Sequence, residues 1–220
     1  MPALSLDDQG TRTALIRAGL DLFGRHGFEA SSIRQIAQAA GVNSAGIAYH
    51  FGGKGGLREA CAQSIVETIR QRLLGDAAPP PVPVDLGPDA ALEAILALVG
   101  RATTFIVRNP ESEAIARFVV REMMEPSPAF DILYEGLVGP VHGRLCRLWA
   151  AATGMEAEAE RTRIGVFAMI GQLLYFRLAR PAVTRRMGWS GIGEAEERAI
   201  AGSIRSAITA TILAARGERP

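Results

Sequence analysis

The chain has 220 residues, of which 48% are hydrophobic and 21% are charged, and its formal net charge is +1. These values are typical of a soluble globular protein whose core needs no disulfides, and they exclude a disordered chain or a uniformly basic nucleic-acid coat. The longest charge-free apolar stretch, residues 165–176, has 12 residues, which is too short for a transmembrane helix. Residues 1–10 contain no apolar run, so we expect no signal peptide.

Helical spacing dominates the sequence, because apolar residues recur every three or four positions and no segment alternates with period 2. The sequence therefore predicts an all-α fold with about nine helices. Ser32 and Gln35 fit a capping box, Gly27 and Gly41 end helices, and Pro181 is predicted to end another. The predicted helices are residues 13–26, 33–40, 44–50, 54–74, 88–108, 110–124, 128–151, 156–180 and 194–215.

Five prolines lie between residues 75 and 88, and a segment of that composition does not form regular helix. We interpret it as a surface linker. The predicted organisation is one domain over residues 1–55 and a second domain over residues 56–220.

The two short helices predicted at 33–40 and 44–50 flank a tight turn that contains Gly41. Ile36, Ala37, Val42 and Ile47 are spaced to pack these helices against each other. This layout predicts a helix-turn-helix, in which the second helix enters the major groove of DNA. The same layout also occurs in helical bundles that bind no DNA, and the serines at its start serve as caps in either case.

The candidate DNA contacts combine small polar side chains, which read base edges, with groups that bind phosphate. Between residues 9 and 60 the basic residues outnumber the acidic ones by six to three, so this part of the chain is more positive than the whole. The predicted contacts are Asn43 and Ser44 with bases, Ala45 with a thymine methyl group, Tyr49, His50 and Lys54 with phosphates, and Ser32 and Arg34 with a phosphate, Arg34 also reaching a base edge.

Three stretches in this order resemble the N-terminal domain of the TetR family of transcriptional regulators: AGLDLFGRHGF at 18–28, SIRQIAQAAGV at 32–42 and YHFGGKGGL at 49–57. The resemblance implies that Tyr49, His50 and Lys54 occupy phosphate-contacting positions. It also implies a helical C-terminal domain that binds a small molecule and dimerises.

Two departures from the family pattern stand out. Ala48 replaces an aromatic residue that many members carry, and Gly55 and Gly56 replace the usual acidic pair. The segments NSAGIAYHF at 43–51 and REMMEPSPAFD at 121–131 resemble the CecR-like branch of the family.

Aromatic, Met and Gln side chains of the C-terminal part are candidates for lining an effector pocket, since such groups suit an adaptable apolar cavity. The alternative is that they are ordinary core residues. Arg117, Arg121 and Glu122 are predicted to pair with one another, or else to bind a charged ligand group. The pocket candidates are Phe105, Phe118, Met123, Met124, Phe130, Tyr134, Trp149, Phe167, Gln172 and Tyr175.

The apolar faces of the last two long predicted helices favour a four-helix seam with a second copy of the chain. Cys61 and Cys146 are predicted to be buried thiols in a reducing compartment. The sequence shows no nucleophile elbow, phosphate loop or paired carboxylates. We therefore predict no catalytic residue, metal or cofactor, although Glu135 and His142 share a helical face.

Together with the resemblance, these patterns predict a bacterial, cytoplasmic, nucleoid-associated regulator that is a homodimer and has no membrane partner. Residues 1–55 would form its DNA-binding domain, and residues 56–220 its ligand-sensing and dimerisation domain. Its predicted partners are a palindromic double-stranded DNA operator and a small-molecule effector that releases the protein, which makes it a repressor. The alternatives are a protein-interaction module, or a helical enzyme, that has kept the fold and lost operator binding.

Overall fold

The computed structural model describes residues 8–75 and 80–217, and every regular element in those ranges is helical. The predicted all-α fold is therefore confirmed. The helices are α1 (Asp8–His26), α2 (Ile33–Ala40), α3 (Ala45–Phe51), α4 (Lys54–Leu74), α5 (Pro88–Arg108), α6 (Glu111–Met124), α7 (Pro128–Leu133), α8 (Gly139–Thr153), α9 (Glu160–Leu178), α10 (Arg180–Met187) and α11 (Glu194–Arg216).

A π-helical turn, Tyr134–Val138, joins α7 to α8 without a break, so these three pieces correspond to the single helix predicted at 128–151. The described part of the chain then has ten helices, one more than the sequence indicates. The additional helix is α10. Pro181 was predicted to end a helix, but it lies in the first turn of α10, where its missing N–H costs no intrahelical hydrogen bond.

The described residues divide into two compact units. The first comprises Met1–Thr68 and Glu113–Leu137, and the second comprises Ile69–Ser112 and Val138–Pro220. Helices α4 and α6 therefore contribute residues to both units. Of the predicted linker, residues 76–79 lie outside the described residues, and residues 80–87 contain no helix. The domain boundary predicted between residues 55 and 56 stays a prediction.

The first unit places α2 and α3 against α1, with Ile36 and Ile47 fully buried, as their spacing predicts. The predicted capping box is confirmed. The Gln35 backbone N–H donates to the Ser32 hydroxyl at 3.2 Å, and the Ser32 backbone N–H donates to the Gln35 side chain at 2.9 Å. Gly41 ends α2 with φ of +69°, a conformation that favours glycine because a Cβ is strained there.

The second unit is built around α5, which packs against α8, α9 and α11. By length and composition α5 is the one described helix apolar enough to cross a membrane. Its apolar side chains are instead those of a core helix, because Ala91, Ile95, Leu96 and Val99 are buried in one cluster with residues of α8, α9 and α11. The 12-residue charge-free stretch at 165–176 lies in α9.

Candidate nucleic-acid interface

Helix α3 has one buried anchor and an outer face of small and polar groups. Ile47 is completely buried, whereas Asn43, Ser44, Ala45 and Tyr49 are exposed, Tyr49 to 78%. Small side chains on the outer face let a helix backbone approach base edges closely in the major groove. The residues predicted to contact bases are therefore all accessible at the start of α3.

Two of the predicted DNA contacts also cap helices. The Asn43 side-chain oxygen accepts the Ala45 backbone N–H at 2.9 Å, which leaves the amide N–H groups of Asn43 as donors. Ser32 donates its hydroxyl to the Gln35 side-chain oxygen at 2.8 Å within the capping box. Ser44, by contrast, makes no side-chain cap hydrogen bond.

The three groups predicted to contact phosphates differ in their surroundings. The Tyr49 ring is exposed and meets the His50 ring edge-on, with centroids 4.9 Å apart. The His50 side chain is mostly covered, and its Nε2 lies 3.7 Å from an Asp8 carboxylate oxygen. The Lys54 ammonium lies 4.2 Å from the centre of the Phe28 ring, which is cation–π distance. Of these three groups, the Tyr49 hydroxyl is therefore the most accessible to a phosphate.

The structure shows that Arg117, Arg121 and Glu122 do not pair with one another. Arg117 forms an ion pair with Glu113, one turn earlier on α6, and Glu122 forms one with Arg58 of α4. Arg121 donates to backbone carbonyls of α1 instead. The expectation of a mutual ion pair was wrong because spacing along α6 carries no information about the carbonyl acceptors of α1 or the guanidinium donor of Arg58 in α4.

Helix α6 is in close contact with the end of α1 in the first unit. Arg121 donates to the Gly24 and Arg25 carbonyl oxygens at 2.9 and 3.0 Å. A Cβ on Gly24 would lie 3.0 Å from the Arg117 Cβ and 3.3 Å from the Phe118 nitrogen. These carbonyls are acceptors left unpaired at the helix terminus, and a guanidinium satisfies them well. Helix α6 therefore fixes the carboxyl end of α1.

A buried polar network joins α6 to α4. Glu122 is 2% exposed, and its carboxylate accepts the Arg58 Nε–H at 2.5 Å and the Ser127 hydroxyl at 2.7 Å. The Arg58 guanidinium also lies 4.9 Å from the centre of the Phe28 ring. Burial raises the pKa of the Cys61 thiol well above its ordinary value, and the nearby negative charge of Glu122 raises it further.

A cavity of about 130 Å³ lies in the second unit. None of the predicted pocket residues lines it. Phe105 lines a second, more open pocket of the same unit. Phe118 and Trp149 are buried elsewhere, Phe130 is half-buried, and Met123, Met124, Tyr134, Phe167, Gln172 and Tyr175 are exposed. The side chains that line the cavity are Leu73, Leu98, Val99, Ala102, Ile106, Val141, Arg144, Leu145, Met169, Ile170 and Leu173.

The predicted assignment favoured large aromatic groups, whereas the cavity is bounded by aliphatic side chains and one arginine. In the sequence, the residues that line the cavity show the same apolar helical spacing as ordinary core residues. The sequence pattern therefore does not distinguish the two. His142 stacks on Phe167 with ring centroids 3.9 Å apart. Within residues 8–75 and 80–217 no group of three or more His, Cys, Asp or Glu side chains is placed to hold a metal ion.

Two family models match the chain. Residues 15–61 match the family of bacterial regulatory proteins of the tetR type, and residues 91–216 match the C-terminal domain of the HTH-type transcriptional dual regulator CecR. The CecR regulator of Shigella flexneri is 32% identical over 195 residues, which cover 88% of this chain and 87% of the relative.

The chain belongs to the TetR family of transcriptional regulators. The regulatory protein RaaS of Mycobacterium tuberculosis is 30% identical to this TetR-family chain over 175 residues. The matched segment covers 76% of this chain and 73% of RaaS. The predicted family and its CecR-like branch are thus confirmed, as is the function of a DNA-binding transcriptional regulator. The relatives are transcriptional regulators, not enzymes, and regulators of this family are typically cytoplasmic.

Solved structures share the fold at low sequence identity. AibR in complex with isovaleryl coenzyme A and operator DNA superposes with a TM-score of 0.65 at 15% identity, covering 90% of this chain and 97% of AibR. A transcriptional regulator from Pseudomonas aeruginosa superposes with a TM-score of 0.68 at 17% identity, covering 98% of this chain and 97% of the other.

Proposed function

We propose that this TetR-family regulator is a homodimeric repressor that binds a palindromic operator through α3 and leaves it when a small-molecule effector binds. The observation that carries the proposal is the exposed start of α3, where Asn43, Ser44 and Tyr49 are open to solvent while Ile47 is buried. The alternatives, an interaction module or a helical enzyme without operator binding, give these exposed polar groups no role.

Base readout falls to the first turn of α3. Ser44 keeps its hydroxyl free of any cap, Asn43 keeps its amide donors, and Ala45 offers a methyl group to thymine. Such groups discriminate bases by hydrogen bonds and methyl contacts in the major groove. Two-fold symmetry of the dimer then requires two half-sites separated by about 34–36 Å, one helical turn of DNA, or a multiple of it.

Phosphate contacts hold α3 in register. The exposed Tyr49 hydroxyl suits this role directly. Lys54 begins α4, whose first backbone N–H groups are also phosphate donors. Arg34 is exposed on α2 and reaches the flanking backbone. We assign His50 a supporting contact, because its ring is mostly covered and packs against Tyr49.

The dimer interface is assigned to the outer face of α9. Ile164, Phe167, Tyr175 and Leu178 are each more than half exposed, and they recur at helical spacing along one side of the helix. An apolar stripe of this size is a liability on a monomer and is typical of a subunit interface. Helix α11 of each protomer completes a four-helix seam.

Release of the operator is a shift of population between two states of the dimer. The effector has to bind the state that is unable to bind DNA more tightly than the competent one. We place the effector in the cavity of the second unit and the protein on the bacterial nucleoid. Helices α4 and α6, which contribute residues to both units, are the elements through which the shift passes.

Operator binding at graded salt concentrations tests the proposal. Lys54→Ala and Tyr49→Phe should each weaken binding to all sequences, and Lys54→Ala should reduce the salt slope by about one because one phosphate contact is lost. Arg185→Ala, on the exposed surface of α10, is the matched control and should change neither quantity. An unchanged affinity and slope for Lys54→Ala would contradict this mode of docking.

Ser44→Ala separates base reading from phosphate contact, because this substitution removes no helix cap. We expect it to change which bases are preferred within a half-site while it leaves the salt slope as it is. A uniform loss of affinity for every sequence would show that Ser44 reads no base.

A further inference from the structure

Two basic side chains of α4 lie over one aromatic ring in the first unit. The Lys54 Nζ lies 4.2 Å from the centre of the Phe28 ring, and the Arg58 guanidinium carbon lies 4.9 Å from it. Because Lys54 and Arg58 are one helical turn apart, they share a face of α4. The negative face of an aromatic ring attracts a cation at these distances. Phe28 is therefore a platform for the basic side chains at the start of α4.

The segment that carries Phe28 is fixed by its own contacts. The Ser31 hydroxyl donates to the Gly27 carbonyl oxygen at 2.7 Å, and the Ser31 backbone N–H donates to the Phe28 carbonyl oxygen at 3.2 Å. The Phe28 ring packs against the ring of Phe23, with centroids 5.7 Å apart, and Phe23 is buried. The position of the Phe28 ring thus does not depend on Lys54.

The two basic side chains differ in where their charge is held. The Arg58 Nε–H donates to the buried Glu122 carboxylate at 2.5 Å, and this ion pair keeps the guanidinium inside the unit. Lys54 is the first residue of α4, and its side chain is only partly buried. Of the two, Lys54 is therefore the residue whose charge can reach a DNA phosphate.

An aromatic ring can hold the Lys54 ammonium without consuming its hydrogen-bonding capacity. A lysine ammonium has three N–H donors, and contact with a ring face leaves donors directed away from the ring. The long lysine side chain otherwise samples many rotamers, and ordering it on binding costs free energy. Contact with Phe28 orders the side chain before DNA arrives, so that cost is reduced.

We propose that Phe28 is a positioning residue for DNA binding, because its ring holds the Lys54 ammonium where it meets a backbone phosphate. Phe28 itself makes no contact with DNA in this arrangement. The proposal rests on the proposed function, in which Lys54 contacts phosphate. Since phosphate contacts carry no sequence information, the contribution of Phe28 extends to DNA of any sequence.

Fluorescence anisotropy of the full-length protein with a labelled random-sequence duplex at low ionic strength measures this contribution, since phosphate contacts dominate such binding. Phe28→Leu should weaken binding by about 2-fold to 10-fold, the cost of ordering one long side chain. Phe28→Tyr keeps the ring and should retain most of the affinity. Phe130→Leu is the matched control, because this half-buried ring of the same unit packs beside Tyr134, and it should leave the affinity unchanged.

A double-mutant cycle separates positioning of Lys54 from a general structural role of Phe28. In a Lys54→Ala background, Phe28→Leu should have no further effect on DNA affinity, because the side chain that the ring positions is gone. A ring that only stabilises the fold would weaken DNA binding equally in both backgrounds. An equal loss in the two backgrounds would therefore overturn the proposal.

A second replacement tests the attraction between ring and cation with little change of shape. Pentafluorophenylalanine at position 28 fills nearly the same space as Phe28, but its ring lacks the negative face that attracts a cation. It should weaken DNA binding as Phe28→Leu does. Circular dichroism checks that each variant is folded, and if Phe28→Leu is not, the fluorinated variant decides. Full affinity of the folded fluorinated variant would overturn the proposal.

The Lys54→Ala variant alone keeps the two proposals distinguishable. If Lys54→Ala leaves the affinity unchanged, the proposed docking of the protein on DNA is contradicted, and the positioning role of Phe28 with it. If Lys54→Ala weakens binding but neither replacement of Phe28 does so, only the positioning role is contradicted.

Discussion

Removal of the Glu122 side chain is expected to destabilise the first compact unit strongly. Glu122 is 2% exposed and Arg58 is 17% exposed, and their charged groups are 2.5 Å apart. Glu122→Ala leaves the Arg58 guanidinium buried without its counter-charge. The substitution also removes the carboxylate oxygen to which the Ser127 hydroxyl donates at 2.7 Å.

The size of the effect follows from burial. Breaking a buried ion pair by removing one partner costs about 3–5 kcal/mol. We expect the lower end of this range, since Arg58 keeps the Phe28 ring at 4.9 Å and some access to water. For a chain of this length, about 3 kcal/mol lowers the melting temperature by roughly 6–12 °C. Glu122→Gln should cost less, because the amide keeps the shape and one acceptor.

The same unit offers a matched control in Asp21 and Arg25 of α1. That pair is 2.6 Å apart, but its side chains are 44% and 55% exposed, so Asp21→Ala should cost no more than about 0.5 kcal/mol. Thermal unfolding followed by circular dichroism compares the two variants. A loss for Glu122→Ala no greater than that for Asp21→Ala would refute the reasoning from burial.

Three further outcomes are expected. Gly24→Ala should destabilise the protein by about 1–3 kcal/mol, because the added methyl group overpacks the contact of α1 with α6. Gly100→Ala, at a position open to solvent on α5, should stabilise the protein by about 0.5–1 kcal/mol. Denaturant unfolding measures both changes. Burial raises the pKa of the Cys61 and Cys146 thiols, so neither should react with a thiol reagent at pH 8 until the protein is unfolded. Phe167→Glu should convert the dimer to a monomer in sedimentation velocity, and a persistent dimer would exclude the α9 interface.

The local signals in the sequence predict most of the helices because they act within one turn of chain. The Ser32 capping box and the left-handed Gly41 depend only on near neighbours, and the structure contains both. Pro181 shows the limit of such signals. A proline is compatible with the end of one helix and with the start of the next, and α10 follows α9 after a single residue.

The features of the candidate site likewise divide into those that the local sequence predicts and those that depend on distant parts of the chain. The exposed start of α3 follows from its short-range pattern, with Ile47 inward and Ser44 outward. The partners of Glu122 and Arg121 come from α4 and α1, tens of residues away along the chain, and spacing along α6 carries no information about them. The lining of the cavity depends likewise on which core side chains fail to fill the space between helices, and a composition rich in Leu and Ala does not reveal this.

Selection of the purified protein against random duplex DNA, with the stoichiometry of the bound complex measured, tests the central claim most directly. We predict recovery of a palindrome that is bound by one dimer or by a pair of dimers. Binding that is weak and blind to sequence, and that remains so after the protein has been unfolded and refolded to remove any bound ligand, would contradict the account.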